Sequence, residues 1–178
     1  MSALKSSALV AGATVLVAIA SQGELRAADK SRYDFQGAAG VCQPSQPSYA
    51  AGLRARPLGL ANEGAATAFV TCAFRGDQTT GGRGAWQVTA TVGNFGGITR
   101  RVTCTFVTGS QLGGNNDAIY RSKTFLVAPG GQGVTFSWEP SEIAGAPESI
   151  KRPAVLCSLP NRTVLQYFST YYNENVGN

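Results

Sequence analysis

The sequence contains no histidine, and this absence excludes several chemistries at once. Nucleophilic catalysis by a serine or cysteine usually needs an imidazole that accepts the proton. The common zinc and copper sites also rely on imidazole ligands. No C-x-x-C pair is present that could supply a thiolate metal site instead. We therefore expect no enzymatic activity, no metal and no cofactor.

Charged residues are also scarce, at 14% of the chain, and the formal net charge is only +5. The basic residues stand in separate pairs, such as Arg100-Arg101 and Lys151-Arg152. A nucleic-acid-binding domain usually carries a denser basic stripe with interleaved aromatic residues. We therefore expect no nucleic-acid partner.

A continuous apolar run occurs only near the N-terminus. Residues 8–20 are small or apolar, Lys5 precedes them, and Ala18-Ile19-Ala20 has the form of a signal-peptidase site. The run is too short to cross a bilayer as a helix. The predicted segments are a signal peptide, a flexible lead and one ordered domain, over residues 1–20, 21–32 and 33–178. We expect an exported protein, periplasmic or secreted, with no membrane span after cleavage.

The chain has four cysteines, an even number that predicts two disulfides in an exported protein. Three pairings are possible, and we favour Cys42–Cys72 together with Cys104–Cys157. The first bridge would attach an N-terminal loop to the first core strand. The second would join the second and third core strands.

Apolar residues alternate with polar ones in most of the chain, which is the two-residue period of β-strands. Three strands carry a cysteine in the middle of an apolar face: Val70–Phe74, Val102–Phe106 and Val155–Leu159. We interpret the likeness of the first two as a shared packing requirement, because their flanks do not match. The same alternation places Trp86 and Trp138 on the core faces of their strands.

Glycine is abundant, and four Gly-Gly pairs fall between the predicted strands. Tight hairpin turns need positive φ angles, which glycine adopts readily. We therefore predict hairpin-linked strands from Ala85 to Trp138. No segment has the period of a long amphipathic helix. The predicted fold is a single antiparallel β-sandwich of about eight strands with disulfides, and a β-barrel is the alternative.

Two sets of residues are candidates for function. Tyr167, Tyr171 and Tyr172 crowd the C-terminus, and exposed aromatic rings on a sheet would suit stacking against sugar rings. Such rings can equally serve as core. The second set is acidic, with members Glu139, Glu142 and Glu148 in a loop. A glycosidase needs two carboxylates across a cleft, but acidic residues in a Pro/Gly/Ser-rich loop are usually solvated.

Several short segments resemble small uncharacterised exported proteins of gammaproteobacteria, the xanthomonad group in particular. The segments are Val41-Cys42-Gln43, Arg56-Pro57-Leu58, Asn62-Glu63-Gly64 and Phe69-Val70-Thr71-Cys72. The resemblance covers mainly residues 41–74. It implies a bacterial periplasmic or secreted protein, and it brings no known activity, cofactor or catalytic residue.

Together these patterns favour a non-enzymatic binding or structural module of the cell envelope or extracellular space, with an envelope glycan or a protein as partner. A histidine-free glycan hydrolase that uses paired glutamates is one alternative. A pilus-like assembly subunit is another, and it predicts a groove where a strand is missing.

Overall fold

The computed structural model describes residues 29–75, 84–109, 118–130, 133–143 and 149–175, and within them eleven antiparallel strands form two sheets. The strands are β1 (Asp29–Gly37), β2 (Cys42–Pro44), β3 (Leu53–Arg56), β4 (Gly59–Asn62), β5 (Ala68–Ala73), β6 (Ala85–Asn94), β7 (Arg100–Thr108), β8 (Ile119–Val127), β9 (Val134–Trp138), β10 (Ala154–Leu159) and β11 (Thr163–Asn175). One helical turn, α1, and two 3₁₀ segments connect them, at Ala38–Val41, Pro47–Gly52 and Pro140–Glu142. The predicted β-sandwich is confirmed, with N-terminal strands, among them the nine-residue β1, beyond the eight expected.

The long strand β11 is the centre of the first sheet, whose order is β3-β4-β11-β6-β9. It pairs with β6 along one side, and with β4 and then β1 along the other. The second sheet has the order β2-β5-β10-β7-β8. Because β11 is 13 residues long, its N-terminal part holds β4 and its C-terminal part holds the whole of β1.

The core lies between the two sheets and follows the predicted alternation. Val70, Cys72 and Phe74 are all buried, and the equivalent positions of β7 and β10 are fully buried. Trp138 is completely buried, as predicted, and its ring centroid lies 5.7 Å from that of Phe106 across the sandwich. Burying a side chain of this size stabilises a fold by about 1.5–3 kcal/mol.

The disulfides join neighbouring strands within one sheet. Cys42 of β2 lies directly opposite Cys72 of β5, and Cys104 of β7 lies directly opposite Cys157 of β10. Both pairs are bonded, with Cα atoms 4.1 Å apart. These are the pairs that the sequence favoured. All four sulfur atoms sit on the inner faces, so the bridges brace the core.

Residues 29–32, which we expected to belong to a flexible lead over residues 21–32, form the start of β1. β1 begins at Asp29, where it pairs with Asn175, and it continues in register to Gly37 opposite Tyr167. The pairing partner is more than 100 residues away, so no local pattern could indicate it. Residues 21–28 lie outside the described part of the chain.

Of the hairpin links predicted from Ala85 to Trp138, the one between β7 and β8 is confirmed by their antiparallel pairing. Those between β8 and β9 and between β6 and β7, at Gly96-Gly97, are wrong. β6 belongs to the first sheet and β7 to the second, so the chain crosses the sandwich there as an arch. The links β4 to β5, β8 to β9 and β10 to β11 also cross between the sheets. Strand directions place these four arches at one end of the sandwich, which we name the arch end.

The arches show that the flanks of the two similar strands do match, contrary to our interpretation. The pattern N-x-G-x-x-T-x-x-V-T-C-x-F fits residues 62–74 and residues 94–106. The Asn62 amide donates to the carbonyls of Ala66 and Leu159, at 2.8 and 2.6 Å. The Asn94 amide makes the two equivalent bonds, at 2.8 and 2.9 Å. Each buried asparagine thus satisfies carbonyls of its own arch and of the neighbouring arch.

Candidate ligand-binding surface

In β1 the aromatic side chains point outward and the polar side chains point toward the interior, which is the reverse of an ordinary strand at the surface of a sandwich. Tyr33 and Phe35 are each 54% exposed. Arg32, Asp34 and Gln36, which alternate with them, are half-buried. An antiparallel strand with one solvated face normally turns its apolar side chains toward the core. β1 instead presents aromatic rings on the outer face of the first sheet.

The rings of β1 pack against tyrosines of β11. Tyr33 lies opposite Tyr171, with ring centroids 4.7 Å apart. Tyr167 lies opposite Gly37, which has no side chain, and Phe35 fills that space with its centroid 4.6 Å from Tyr167. Cross-strand and diagonal pairs of this kind are within reach on one face of a sheet.

Trp86 joins the same surface, and our prediction of a core position for it is wrong. Tyr171 pairs with Gln87 and Tyr172 with Ala85, so a β-bulge leaves Trp86 without a partner of its own. The extra residue shifts the alternation, because two residues oppose one across a bulge. Trp86 is 43% exposed, and its ring centroid lies 5.0 Å from that of Tyr171.

We name these five residues the aromatic platform: Tyr33, Phe35, Trp86, Tyr167 and Tyr171. Two of the three tyrosines that the sequence singled out belong to it. The third, Tyr172, lies on the opposite face of β11 and packs against the core, which corrects its assignment as ligand-facing. Tyr167 and Tyr171 stand four residues apart on one strand, which corresponds to about 13 Å. The platform is therefore longer than a single sugar ring.

Hydroxyl and amide groups continue the same face on β6 and β9. Thr89 Oγ1 lies 2.5 Å from Ser169 Oγ, and Thr91 Oγ1 lies 3.0 Å from Thr135 Oγ1. Gln87 Nε2 donates to Glu139 Oε1 over 3.1 Å, at the end of β9. The outer face of the first sheet thus has aromatic rings on one side and neutral polar groups beside them.

The glutamates considered for hydrolysis have structural contacts in the described chain. Glu142 forms an ion pair with Lys123, and its Oε2 accepts from the backbone N–H of Glu139 at 3.0 Å. Burial, the largest influence, raises the pKa of Glu142. The hydrogen bonds from Lys123 and from the Glu139 backbone, together with the Lys123 charge, outweigh it and lower that pKa. A general acid needs a raised pKa. Glu148 lies outside the described residues.

Lys123 and Arg121 come from β8, the edge strand of the second sheet, and both reach toward the first sheet. Lys123 Nζ also donates to the carbonyl of Ser137 and lies 6.0 Å from the centroid of the Trp138 ring. Arg121 Nε donates to the carbonyl of Glu142 at 2.8 Å. These cations close the side of the sandwich between β8 and β9, and inward charges of this kind protect an edge strand from unwanted pairing.

Other kinds of site find little support in the part of the chain that the structure describes. It contains no cluster of three or more His, Cys, Asp or Glu residues that could hold a metal. It also contains no helix long and apolar enough to cross a membrane. Along β11, both sides are paired with β1, β4 or β6, so the described sheet leaves no gap there for a donated strand.

Comparison with known proteins adds one structural similarity. No protein-family model matches the sequence, and no curated protein matches it. Among solved structures, the chain is similar to a family 11 carbohydrate-binding module from Clostridium thermocellum, in complex with a β-1,3-1,4-mixed-linked tetrasaccharide. The sequences are 10% identical, the match covers 83% of this chain and 84% of the other, and the TM-score is 0.34. A similarity of this size carries no argument about what the chain binds.

Proposed function

We propose that this protein is an exported, non-enzymatic binding module that holds a neutral glycan across the aromatic platform. The observation that carries the proposal is the reversed orientation of β1. Tyr33 and Phe35 remain about half exposed while polar side chains of the same strand are half-buried. A ligand with an apolar face would cover the rings and remove this exposed apolar surface from water.

The chemistry of the surface suits a sugar better than a wholly apolar ligand. A pyranose ring has an apolar face of C–H groups and a rim of hydroxyl groups. Aromatic rings can stack against such a face. Gln87 and the exposed Thr135 lie beside the rings and offer hydrogen-bonding groups to hydroxyls, and Thr135 is held by the buried Thr91 hydroxyl. A surface that combines apolar contacts with a few directional polar groups is typical of ligand sites in proteins.

The charge of this face favours a neutral ligand. Among the outward side chains of the platform and of the neighbouring polar groups, the only ionisable carboxylate is Glu139, and none is a lysine or arginine. An acidic glycan would therefore find no cation to pair with on this surface.

Export is part of the proposal. Two disulfides fit an oxidising compartment such as the periplasm or the extracellular space. The signal-peptide pattern over residues 1–20 and the resemblance to exported proteins of gammaproteobacteria support the same location. An envelope or extracellular glycan would then be within reach of the aromatic platform.

The test is affinity electrophoresis of the purified protein in gels that contain neutral soluble polysaccharides, compared with acidic ones. We expect retardation by at least one neutral polysaccharide. Trp86→Ala should weaken the affinity about tenfold, because one aromatic contact contributes roughly 1.5 kcal/mol. Phe69→Ala is the matched control, because Phe69 is also exposed (37%) but lies on the outer face of the second sheet.

Two results would contradict the proposal. One is retention of full affinity by Trp86→Ala while Phe69→Ala loses it, which would move the site to the other sheet. The other is the absence of retardation by every neutral polysaccharide tested. Release of reducing sugar during the incubation would instead favour the hydrolase alternative.

A further inference from the structure

Two of the four arches carry arginines, and three of the four have no acidic residue in their described part. Residues 94–101, 126–130 and 159–163 contain Arg100, Arg101 and Arg162, and no aspartate or glutamate. Arg101 and Arg162 are exposed, and Arg100 is half-buried. The fourth arch, from β4 to β5, contains Glu63, whose carboxylate is already paired with Arg56. The arch end is therefore basic on a protein whose formal net charge is only +5.

Contacts between neighbouring arches hold these arginines together. The backbone N–H of Phe95 donates to the carbonyl of Arg162 at 3.0 Å. The Arg162 guanidinium lies over the Phe95 ring, 5.6 Å from its centroid. Arg100 Nη2 donates to Asn161 Oδ1 at 3.4 Å, and its Nε has no hydrogen-bond partner in the described chain. These guanidinium groups are thus positioned by the fold through neutral partners.

Exposed apolar side chains stand beside the guanidinium groups. Ile98, in the arch between β6 and β7, is 60% exposed, and Phe95 in the same arch is 43% exposed. Leu126 is 64% exposed and lies opposite Arg101 in the register of β7 and β8. Apolar tips next to basic groups are the combination found on proteins that bind at a membrane interface.

We infer that the arch end docks on the surface of a bilayer that contains anionic lipids. Guanidinium groups match phosphate in geometry and charge, and each basic side chain near an anionic leaflet adds to the attraction. Phe95 and Ile98 would enter the headgroup layer, where their burial adds to the binding. Complementary charge argues for this occupant over a neutral one.

This surface is separate from the aromatic platform, so the two inferences can fail independently. Tyr167, the platform residue nearest the arch end along β11, is four residues from Thr163, about 13 Å. Trp86 is eight residues from Asn94 along β6, about 27 Å. A protein docked by its arch end would hold the platform away from the bilayer. Glycan binding would then occur at a defined distance from the membrane.

The experiment is co-sedimentation of the purified protein with vesicles of equal parts phosphatidylglycerol and phosphatidylcholine, and with phosphatidylcholine alone. We expect binding to the mixed vesicles only, and weaker binding as salt is raised. The double variant Arg100→Gln/Arg162→Gln should bind about thirtyfold more weakly, because two basic groups are lost. Arg75→Gln/Lys151→Gln removes the same charge at the opposite end of the sandwich, where β5 ends and β10 begins, and should bind like the parent.

A second measurement places the contact. The variant Phe95→Trp adds one indole, whose emission is the difference between the spectra of the variant and the parent. With the mixed vesicles this emission should shift to the blue, because the introduced indole enters a less polar layer. The inference is overturned if phosphatidylcholine alone binds equally, if the control pair weakens binding as much as the arch-end pair, or if this variant binds the vesicles without the shift. Binding of inorganic phosphate without vesicle binding would also overturn it. Loss of glycan affinity at the platform would leave it standing.

Discussion

The two outer faces of the sandwich differ, although both cover the same apolar core. On the second sheet, the outer face carries paired hydroxyl groups. Thr103 Oγ1 lies 2.8 Å from Thr124 Oγ1, and Thr105 Oγ1 lies 2.8 Å from Ser122 Oγ. Ser158 Oγ donates to the carbonyl of Thr103 at 3.2 Å. The first sheet carries the aromatic platform over a comparable span.

Exposed aromatic side chains of the second sheet, such as Phe69 and Tyr120, stand on strands at opposite sides of that sheet, whereas those of the first sheet form one cluster. Hydroxyl groups that pair with each other satisfy their hydrogen bonds and remain well solvated. Aromatic rings that pair with each other still expose a large apolar area, and only a further contact removes it from water. The inner faces serve folding on both sheets. Function is therefore expected on the outer face of the first sheet.

The largest expected effect is on glycan affinity, and it comes from replacing an aromatic pair of the first sheet with a hydroxyl pair like those of the second sheet. In the variant Tyr33→Thr/Tyr171→Thr, a threonine pair would replace a tyrosine pair in register, as at Thr103 and Thr124. Glycan affinity should fall thirtyfold to a hundredfold, since two rings contribute roughly 1–1.5 kcal/mol each. Stability should change by less than about 1 kcal/mol, because threonine pairs suit a sheet.

Isothermal titration with the retained polysaccharide measures the affinity, and urea unfolding measures the stability. The matched control is Thr103→Val/Thr124→Val, which alters the second sheet and should leave the affinity unchanged. If the variant Tyr33→Thr/Tyr171→Thr binds glycan as tightly as the parent, the proposed functional difference between the two faces is wrong.

The core could be predicted from the sequence because its signal is local. Val70, Cys72 and Phe74 alternate strictly, and their burial follows from the two-residue period alone. Trp138 follows the same rule. Two sheets with an apolar interior are then the expected solution for short antiparallel strands.

The candidate site could be predicted only in part, because it depends on distant pairing and on one irregularity. The polar and charged lead carries no sign that β1 pairs with β11 and turns Tyr33 and Phe35 outward. The bulge at Trp86 is invisible in the alternation of β6, which continues regularly from Val88 onward. Grouping Tyr172 with Tyr171 on one surface overlooks that adjacent residues of a strand point to opposite faces.

A smaller effect, on the stability of the protein, is expected at Arg162, which lies in an arch and on neither outer face. Arg162 has φ 65°, a left-handed conformation, and its N–H donates to the carbonyl of Asn62 at 2.8 Å. Gly130 occupies the equivalent place in the neighbouring arch, with φ 62° and a bond to the carbonyl of Asn94 at 3.0 Å. For a residue such as arginine, the left-handed conformation raises the free energy of the folded state by roughly 1 kcal/mol, whereas asparagine and glycine adopt it more readily.

We therefore expect Arg162→Asn to stabilise the protein by up to about 1 kcal/mol, and Gly130→Ala to destabilise it by about the same amount. Nothing lies within 4 Å of a Cβ built at Gly130, so the loss would come from the backbone alone. Thermal unfolding measures both changes. Glycan affinity should stay constant in both variants, and a change in it would show that the arches and the platform are coupled.

The smallest expected effect is a pH dependence at the side of the sandwich, between β8 and β9. The pKa of Glu142 is lowered from 4.5 in the fold, because the hydrogen bonds and the charge of Lys123 outweigh its burial. Its stabilising contribution is therefore complete above about pH 4.5 and is lost as the pH falls through the lowered value. The Glu142 side chain is 39% exposed, so water screens the pair and the contribution is at most about 0.5 kcal/mol.

Urea unfolding of the parent and of Glu142→Gln between pH 3 and 7 tests this sign. The parent should be the more stable at neutral pH, and the difference should shrink toward the acid end of the range, about where carboxyl groups protonate. Repeating the pair in a Lys123→Met background should remove most of the difference, because the partner that lowers the pKa is gone. If the difference in stability between the parent and Glu142→Gln instead grows as the pH falls, the assignment of Glu142 as a structural carboxylate is wrong. That result would return this residue to consideration as a proton donor beside the platform.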